Sequence, residues 1–256
     1  MIFSPELILA FLTLTFLEII LGIDNIIFIS ILANRFPEAR RKKLIKIGLL
    51  LAMLTRILLL MGINWLVHIQ SPLFYFDWGW LSAEITIQSL ILLMGGLFLI
   101  YKSTKEIYDK VEALGEDEEK VATQSISYGH ALFQIVLIDL VFSFDSILTA
   151  VGMTNGISYA LYIMISAIVI AILVMMLFAA PISQYINTHP SLQILGLSFL
   201  LLIGFMLMTE AAHLSQTSVF GGSIGVIPKG YLYFAIAFSL SVELINMRFR
   251  KKKRGL

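Results

Sequence analysis

The sequence predicts an all-α, polytopic membrane protein with seven transmembrane helices, built as two inverted three-helix repeats plus a seventh helix. Three observations predict it. Of the 256 residues, 59% are hydrophobic and only 14% are charged, whereas an ordinary soluble domain carries about 25% charged residues. Apolar runs of about 20 residues recur along the chain, long enough to cross a hydrocarbon layer as helix. An acidic pattern near the N-terminus also returns near the middle.

The first apolar run covers roughly 7–32. No basic segment precedes it, no small-residue cleavage site follows it, and it carries carboxylates. It therefore reads as a retained span and not as a signal peptide. Six further spans follow, at roughly 45–68, 84–101, 130–153, 158–180, 192–213 and 230–247. Between the third and fourth lies the longest polar stretch, 102–129, which contains "GEDEEK". Its mixture of acids and lysines reads as a solvated cytoplasmic linker. The chain divides accordingly into a first repeat (1–101), a linker (102–129), a second repeat (130–213), and a seventh helix with a basic tail (214–256).

Lysine and arginine set the expected orientation. Arg35, Arg40, Arg41, Lys42, Lys43 and Lys46 follow span one. Lys102, Lys105, Lys110 and Lys120 follow span three, and the tail "RFRKKKRGL" holds six more. Sixteen of the eighteen basic residues thus fall on one face if seven spans alternate. This predicts the N-terminus outside and the C-terminus in the cytoplasm. Trp65, Trp78 and Trp80 fit an aromatic belt at the outer interface. A net charge of +1 gives no reason to expect nucleic acid, and the absence of cysteine excludes disulfides, thiolate metal sites and cysteine nucleophiles.

"LEIILGIDNIIF" (17–28) and "IDLVFSFDSILT" (138–149) share one pattern. A carboxylate is followed by five residues, then Asp, a small polar residue and Ile. Glu18 matches Asp139, Asp24 matches Asp145, and Asn25 matches Ser146. Spans three and six end in "GGLFLIYKSTKEI" and "LIGFMLMTEAAHL", which aligns Gly96 with Gly204 and Lys102 with Glu210. A three-span repeat has odd parity, so its second copy enters the membrane from the opposite side. Inverted repeats of this kind place a transport site at the repeat interface near the midplane.

A carboxylate in hydrocarbon costs at least about 2.5–3.5 kcal/mol, which makes such residues functional candidates by default. On a helix Glu18, Gly22 and Asn25 share a face, as do Asp139, Ser143 and Ser146. Asp24 and Asp145 fall about 120° away, and join the same site only if the helices unwind near Gly22 and Ser143. Four carboxylates with amide, hydroxyl and carbonyl oxygens form a hard-oxygen set suited to Mn²⁺, Mg²⁺ or Ca²⁺. The four histidines lie near span ends. Arg56 is the one basic residue well inside a span. It reads either as a structural partner for these acids or as the charge balance of an empty cation site. Glu243, near the cytoplasmic end of span seven, is either a rim ligand or a partner for Arg248 or Arg250. Glu210, ending span six, reads as a solvated or gate residue.

"EIILGIDNIIFIS", "GGLFLIYKSTKEI", "DLVFSFDSILTAVG" and "IPKGYLYFAIAFSLSVELIN" together resemble the TerC family of bacterial integral membrane proteins, in its short form without attached cytosolic domains. The resemblance spans essentially the whole chain. It implies a bacterial inner-membrane protein that exports a divalent cation, Mn²⁺ first, with Glu18, Asp24, Asn25, Asp139 and Asp145 as its metal-binding residues. The expected partners are the lipid bilayer, the cation and exported metalloproteins, with a homo-oligomer as a further expectation. Two other readings compete. One is a non-transporting membrane partner in metal or tellurite stress. The other is an intramembrane aspartyl enzyme using Asp24 and Asp145, which the lack of its accessory glycine signature disfavours. No HExxH motif or nucleophile–base pair lies at membrane depth, so no enzymatic activity is expected.

Overall fold

The computed structural model describes residues 5–62, 72–112, 127–154 and 159–253. Seven helices long and apolar enough to cross a membrane lie within them. They are α1 (Pro5–Ala33), α2 (Glu38–Met61), α3 (Ile87–Glu112), α4 (Tyr128–Thr154), α5 (Ala160–Thr188), α6 (Pro190–Leu214) and α7 (Lys229–Lys253). Prolines punctuate the chain where helices change. Pro37 precedes α2 in an extended conformation, and Pro190 opens α6, where its missing N–H costs nothing. Pro181 lies inside α5, a position that transmembrane helices tolerate.

Outside the helices lies a four-stranded antiparallel sheet that the sequence reading did not contain. Its strands are β1 (Pro72–Asp77), β2 (Leu81–Thr86), β3 (Ser218–Val219) and β4 (Gly222–Ser223), in that order. The β1–β2 turn is fastened by Asp77, whose carboxylate accepts a hydrogen bond from the Gly79 amide at 2.8 Å. The β3–β4 loop consists of Phe220 and Gly221, both with positive φ (51° and 78°), as a two-residue hairpin of the right twist requires. Trp78 and Trp80 are exposed here. Trp65 lies outside the described residues.

The chain forms two compact units that cut across its sequential repeats. The first unit holds α1, α2, α4 and α5, the first two helices of each repeat. The second holds the sheet with α3, α6 and α7. Helix α3 runs on to Glu112, so about three turns of the 102–129 segment are helical. Positions 113–126 of that segment lie outside the described residues.

In the first unit α1 packs on α5, and α2 packs on α4 and α5. The contacts of α1 with α4 run antiparallel. Asn25 meets Asp139 near the middle, and the Phe36 ring meets Tyr128 edge-on at 5.9 Å where α1 has ended and α4 begins. In the second unit α3 and α6 form a long antiparallel pair. Leu81 pairs with Val219 ahead of the helices, Gly96 meets Gly204 midway, and Lys110 donates to Gln193 at the far end. Gly96 and Gly204 face each other reciprocally. A Cβ on Gly96 would lie 2.6 Å from the Gly204 carbonyl oxygen, and one on Gly204 would lie 2.9 Å from that of Gly96. Only glycine allows two backbones to meet this closely, the small-residue device of membrane helix pairs. α1 with α4, and α3 with α6, therefore run in opposite directions, the sense expected of inverted repeats.

Candidate functional site

The polar centre of the first unit is built on the two matched motifs. Glu18 and Asn25 reach it from one face of α1, and Asp139 and Ser143 from one face of α4. Arg56 reaches it from α2. All five are buried, with Arg56 only 1% exposed. The guanidinium joins the two repeats. Its Nη1 pairs with the Glu18 carboxylate, while Nη2 and Nε both donate to Asp139 Oδ1, at 2.8 and 3.2 Å. Asn25 Nδ2 donates to the same oxygen at 2.9 Å. Asp139 Oδ2 accepts from Ser143 Oγ at 3.1 Å and lies 3.3 Å from the hydroxyl of Thr55.

This geometry has a direct electrostatic meaning. A buried ion pair persists only where hydrogen bonds satisfy both partners, and Asp139 is saturated with donors on both oxygens. Asn25 is not. An ionised carboxylate can only accept, so Asn25 must turn its NH₂ toward Asp139. Its Oδ1 is left buried and without a hydrogen-bond partner among the described residues. Two acids of the described centre share one arginine.

The expected site residues are thus partly assembled. Glu18, Asn25, Asp139 and Arg56 come together. Ser146 is buried beside them in sequence, but its hydroxyl donates to the Ser143 carbonyl of its own helix at 3.2 Å. For Asp24 and Asp145 the backbone is helical and the side chains lie outside the described residues. Both helices are continuous through Gly22 and Ser143. The expected local unwinding is therefore absent, and with it the freed backbone carbonyls it would have offered as ligands. Among the described residues no group of three or more histidine, aspartate or glutamate side chains is placed to hold a metal. Glu210 and Glu243 belong to the second unit. Glu210 lies half-buried in the last turns of α6, and Glu243 is half-buried on α7, with one carboxylate oxygen lacking a hydrogen-bond partner.

Two participants carry no sequence signal. Thr55 is an ordinary helical threonine, and its hydroxyl also lies within bonding distance of the Ala52 carbonyl, at 2.9 Å. Met175 sits in the apolar run of α5, yet its sulfur occupies the space beside Gly22 where any side chain at position 22 would have to go.

Comparison with known proteins agrees with this architecture. The chain is similar to a UPF0053 protein of Haemophilus influenzae, 46% identical over 97% of this chain and 96% of the relative. It is 43% identical to the UPF0053 inner membrane protein YgdQ of Escherichia coli, over 99% of this chain and 97% of that one. It also aligns with 42% of the longer E. coli UPF0053 protein YegH, at 42% identity over 95% of this chain. No solved structure matches. Residues 3–255 match the family described as Integral membrane protein TerC family. With seven membrane-length helices and that match over nearly its full length, the chain belongs to the TerC family of integral membrane proteins.

Proposed function

We propose that this protein exports a divalent metal cation, Mn²⁺ first, from the cytoplasm across the bacterial inner membrane, with its C-terminus in the cytoplasm. One observation carries the reading. A cation already sits between the matched acids of the two repeats, and it is the guanidinium of Arg56. Two acids at corresponding positions create a place for positive charge. A single guanidinium can balance only one ionised carboxylate, whereas a dication would balance both acids. On this reading Arg56 neutralises the resting site and gives way when the cation binds. The alternating-access logic of inverted repeats then carries the cation outward. Asp24 and Asp145, six residues or about 1.7 turns along each motif, are proposed to add charge to the transport path, and Mg²⁺ and Ca²⁺ are the other hard cations this set would take.

The donor-saturated state of Asp139 favours a second reading, in which the centre is a static lock and the protein is a non-transporting partner. Flux separates the two. Purified protein in liposomes, with the cytoplasmic face outward, should accumulate Mn²⁺, and Asp24→Asn and Asp145→Asn should abolish uptake while leaving the folded yield intact. Full Mn²⁺ flux in both variants would remove these acids from the path. No flux of any divalent ion in the parent protein would leave the static lock.

A further inference from the structure

We infer that the thioether of Met175 belongs to the cation site and biases it toward transition-metal dications such as Mn²⁺ against Mg²⁺ and Ca²⁺. The inference rests on the exporter reading and names the element of selectivity that oxygen ligands lack.

The argument begins at Gly22. Glu18, Gly22 and Asn25 occupy one face of α1, at i, i+4 and i+7. Glycine leaves a gap in the middle of that face, and the Met175 sulfur from α5 fills it. Met175 is buried, at 3% exposure. The sulfur therefore packs against α1 at the position between Glu18 and Asn25 on that face, and both of those residues serve the Arg56 centre.

The second observation is Asn25. Its NH₂ is committed to Asp139, and its Oδ1 is buried with no donor. The residue is 5% exposed. A buried acceptor without a donor is rare and calls for an explanation, an ion among them. Glu18, Asn25 and the gap at Gly22 that the Met175 sulfur fills share one face of α1. Together they offer one charged oxygen, one neutral oxygen and one polarizable sulfur.

Chemistry then decides what such a set prefers. Carboxylate and amide oxygens suit Mg²⁺, Ca²⁺ and Mn²⁺ alike. A thioether is soft and adds little for Mg²⁺ or Ca²⁺, while it favours more polarizable metal ions. In the second repeat the position matching Gly22 is Ser143, whose hydroxyl is bound to Asp139. The sulfur thus enters at the first repeat, beside the motif that has a free acceptor.

The test uses the full-length protein and Met175→Leu, a near volume-conserving change. Metal-edge X-ray absorption on the Cd²⁺-loaded parent should show a sulfur neighbour, and M175L should lose it. In liposomes, M175L should carry Mn²⁺ at a reduced rate. The Mg²⁺ needed to halve that flux should fall by roughly tenfold, the scale of effect when a residue supporting a metal site is removed. An oxygen-only shell in Cd²⁺-loaded parent protein overturns the inference and leaves the exporter reading standing, as does unchanged Mg²⁺ inhibition in M175L. Parent protein that neither binds Cd²⁺ nor carries Mn²⁺ overturns both. Should M175L fail to fold, the absorption spectrum of the parent decides alone.

Discussion

The acid motifs of α1 and α4 match in sequence but not in how they are used. In α4 the motif closes on itself. Asp139 takes up Ser143, and Ser146 turns back to its own helix. In α1 Gly22 supplies no hydroxyl, and Asn25 reaches across to Asp139 while keeping an oxygen in reserve. Both repeats hold the arginine, through Glu18 and Asp139, but of these matched residues Asn25 alone keeps an acceptor with no donor among the described residues. On the exporter reading, the two copies divide into a structural half and a binding half, although their carboxylates remain in register.

Removing the shared arginine should have the largest effect. Arg56→Met strands two buried carboxylates, and breaking a buried pair this way costs about 3–5 kcal/mol. Thermal unfolding in detergent should show it. Only protons or a dication can then compensate the acids. Mn²⁺ should therefore raise the melting temperature of R56M more than that of the parent, by the linkage that makes any ligand of the folded state stabilising. Acidification should erase that difference, because protonated carboxyls no longer attract the ion. Equal Mn²⁺ shifts in both proteins would reduce Arg56 to a packing residue.

The asymmetry itself is broken or sharpened by the two acids. Asp139→Asn disturbs a carboxylate that meets Arg56, Asn25, Ser143 and Thr55, and should cost about 3 kcal/mol or more. Glu18→Gln disturbs the arginine pair and should cost about 1–3 kcal/mol. If E18Q unfolds first on heating, the structural half has been assigned to the wrong repeat. Smaller still is the contrast between Asn25 and Ser146, which occupy matching positions. Asn25→Ala should lower Mn²⁺ affinity about tenfold, the effect of about 1.4 kcal/mol, measured by calorimetry. Ser146→Ala should leave affinity unchanged, since its hydroxyl bonds its own backbone. Glu210→Gln, in the second unit, should alter flux least of all.

Much of this was readable before any coordinates. Hydropathy located seven spans because a segment facing lipid must be apolar almost throughout, and the paired glycines at 96 and 204 were aligned from the repeat alone. The pairing of Arg56 with acids followed from its isolation in a span. What escaped has physical reasons. The α3 extension to Glu112 is amphipathic, stitched by a Lys102–Glu106 pair at 3.1 Å, and looks like linker once hydropathy falls. The short sheet draws its strands from segments more than 130 residues apart, and no local pattern announces β3 or β4. Glycine at position 22 would permit the unwinding that a site shared with Asp24 requires, but the helix is continuous there. Packing explains the glycine instead, since the gap it leaves is occupied by the sulfur of Met175. A methionine in an apolar run carries no mark of its neighbours.

The antiparallel pair of α3 and α6 also has a thickness. Between the end of β2 and Lys102 the apolar part of α3 is Ile87–Tyr101, and between Gln193 and Thr209 that of α6 is Ile194–Met208. Each is 15 residues, or about 22 Å of helix, against a hydrocarbon layer of roughly 30 Å. The sheet clamps one end of the pair and the Lys110–Gln193 bond clamps the other, so the two helices cannot slide past each other to lengthen the apolar band. The lipid has to yield instead, at fractions of a kcal/mol per Å of mismatch. The expected consequence is a bilayer thinned around this pair, and the protein's stability should rise as the acyl chains of the surrounding bilayer are shortened.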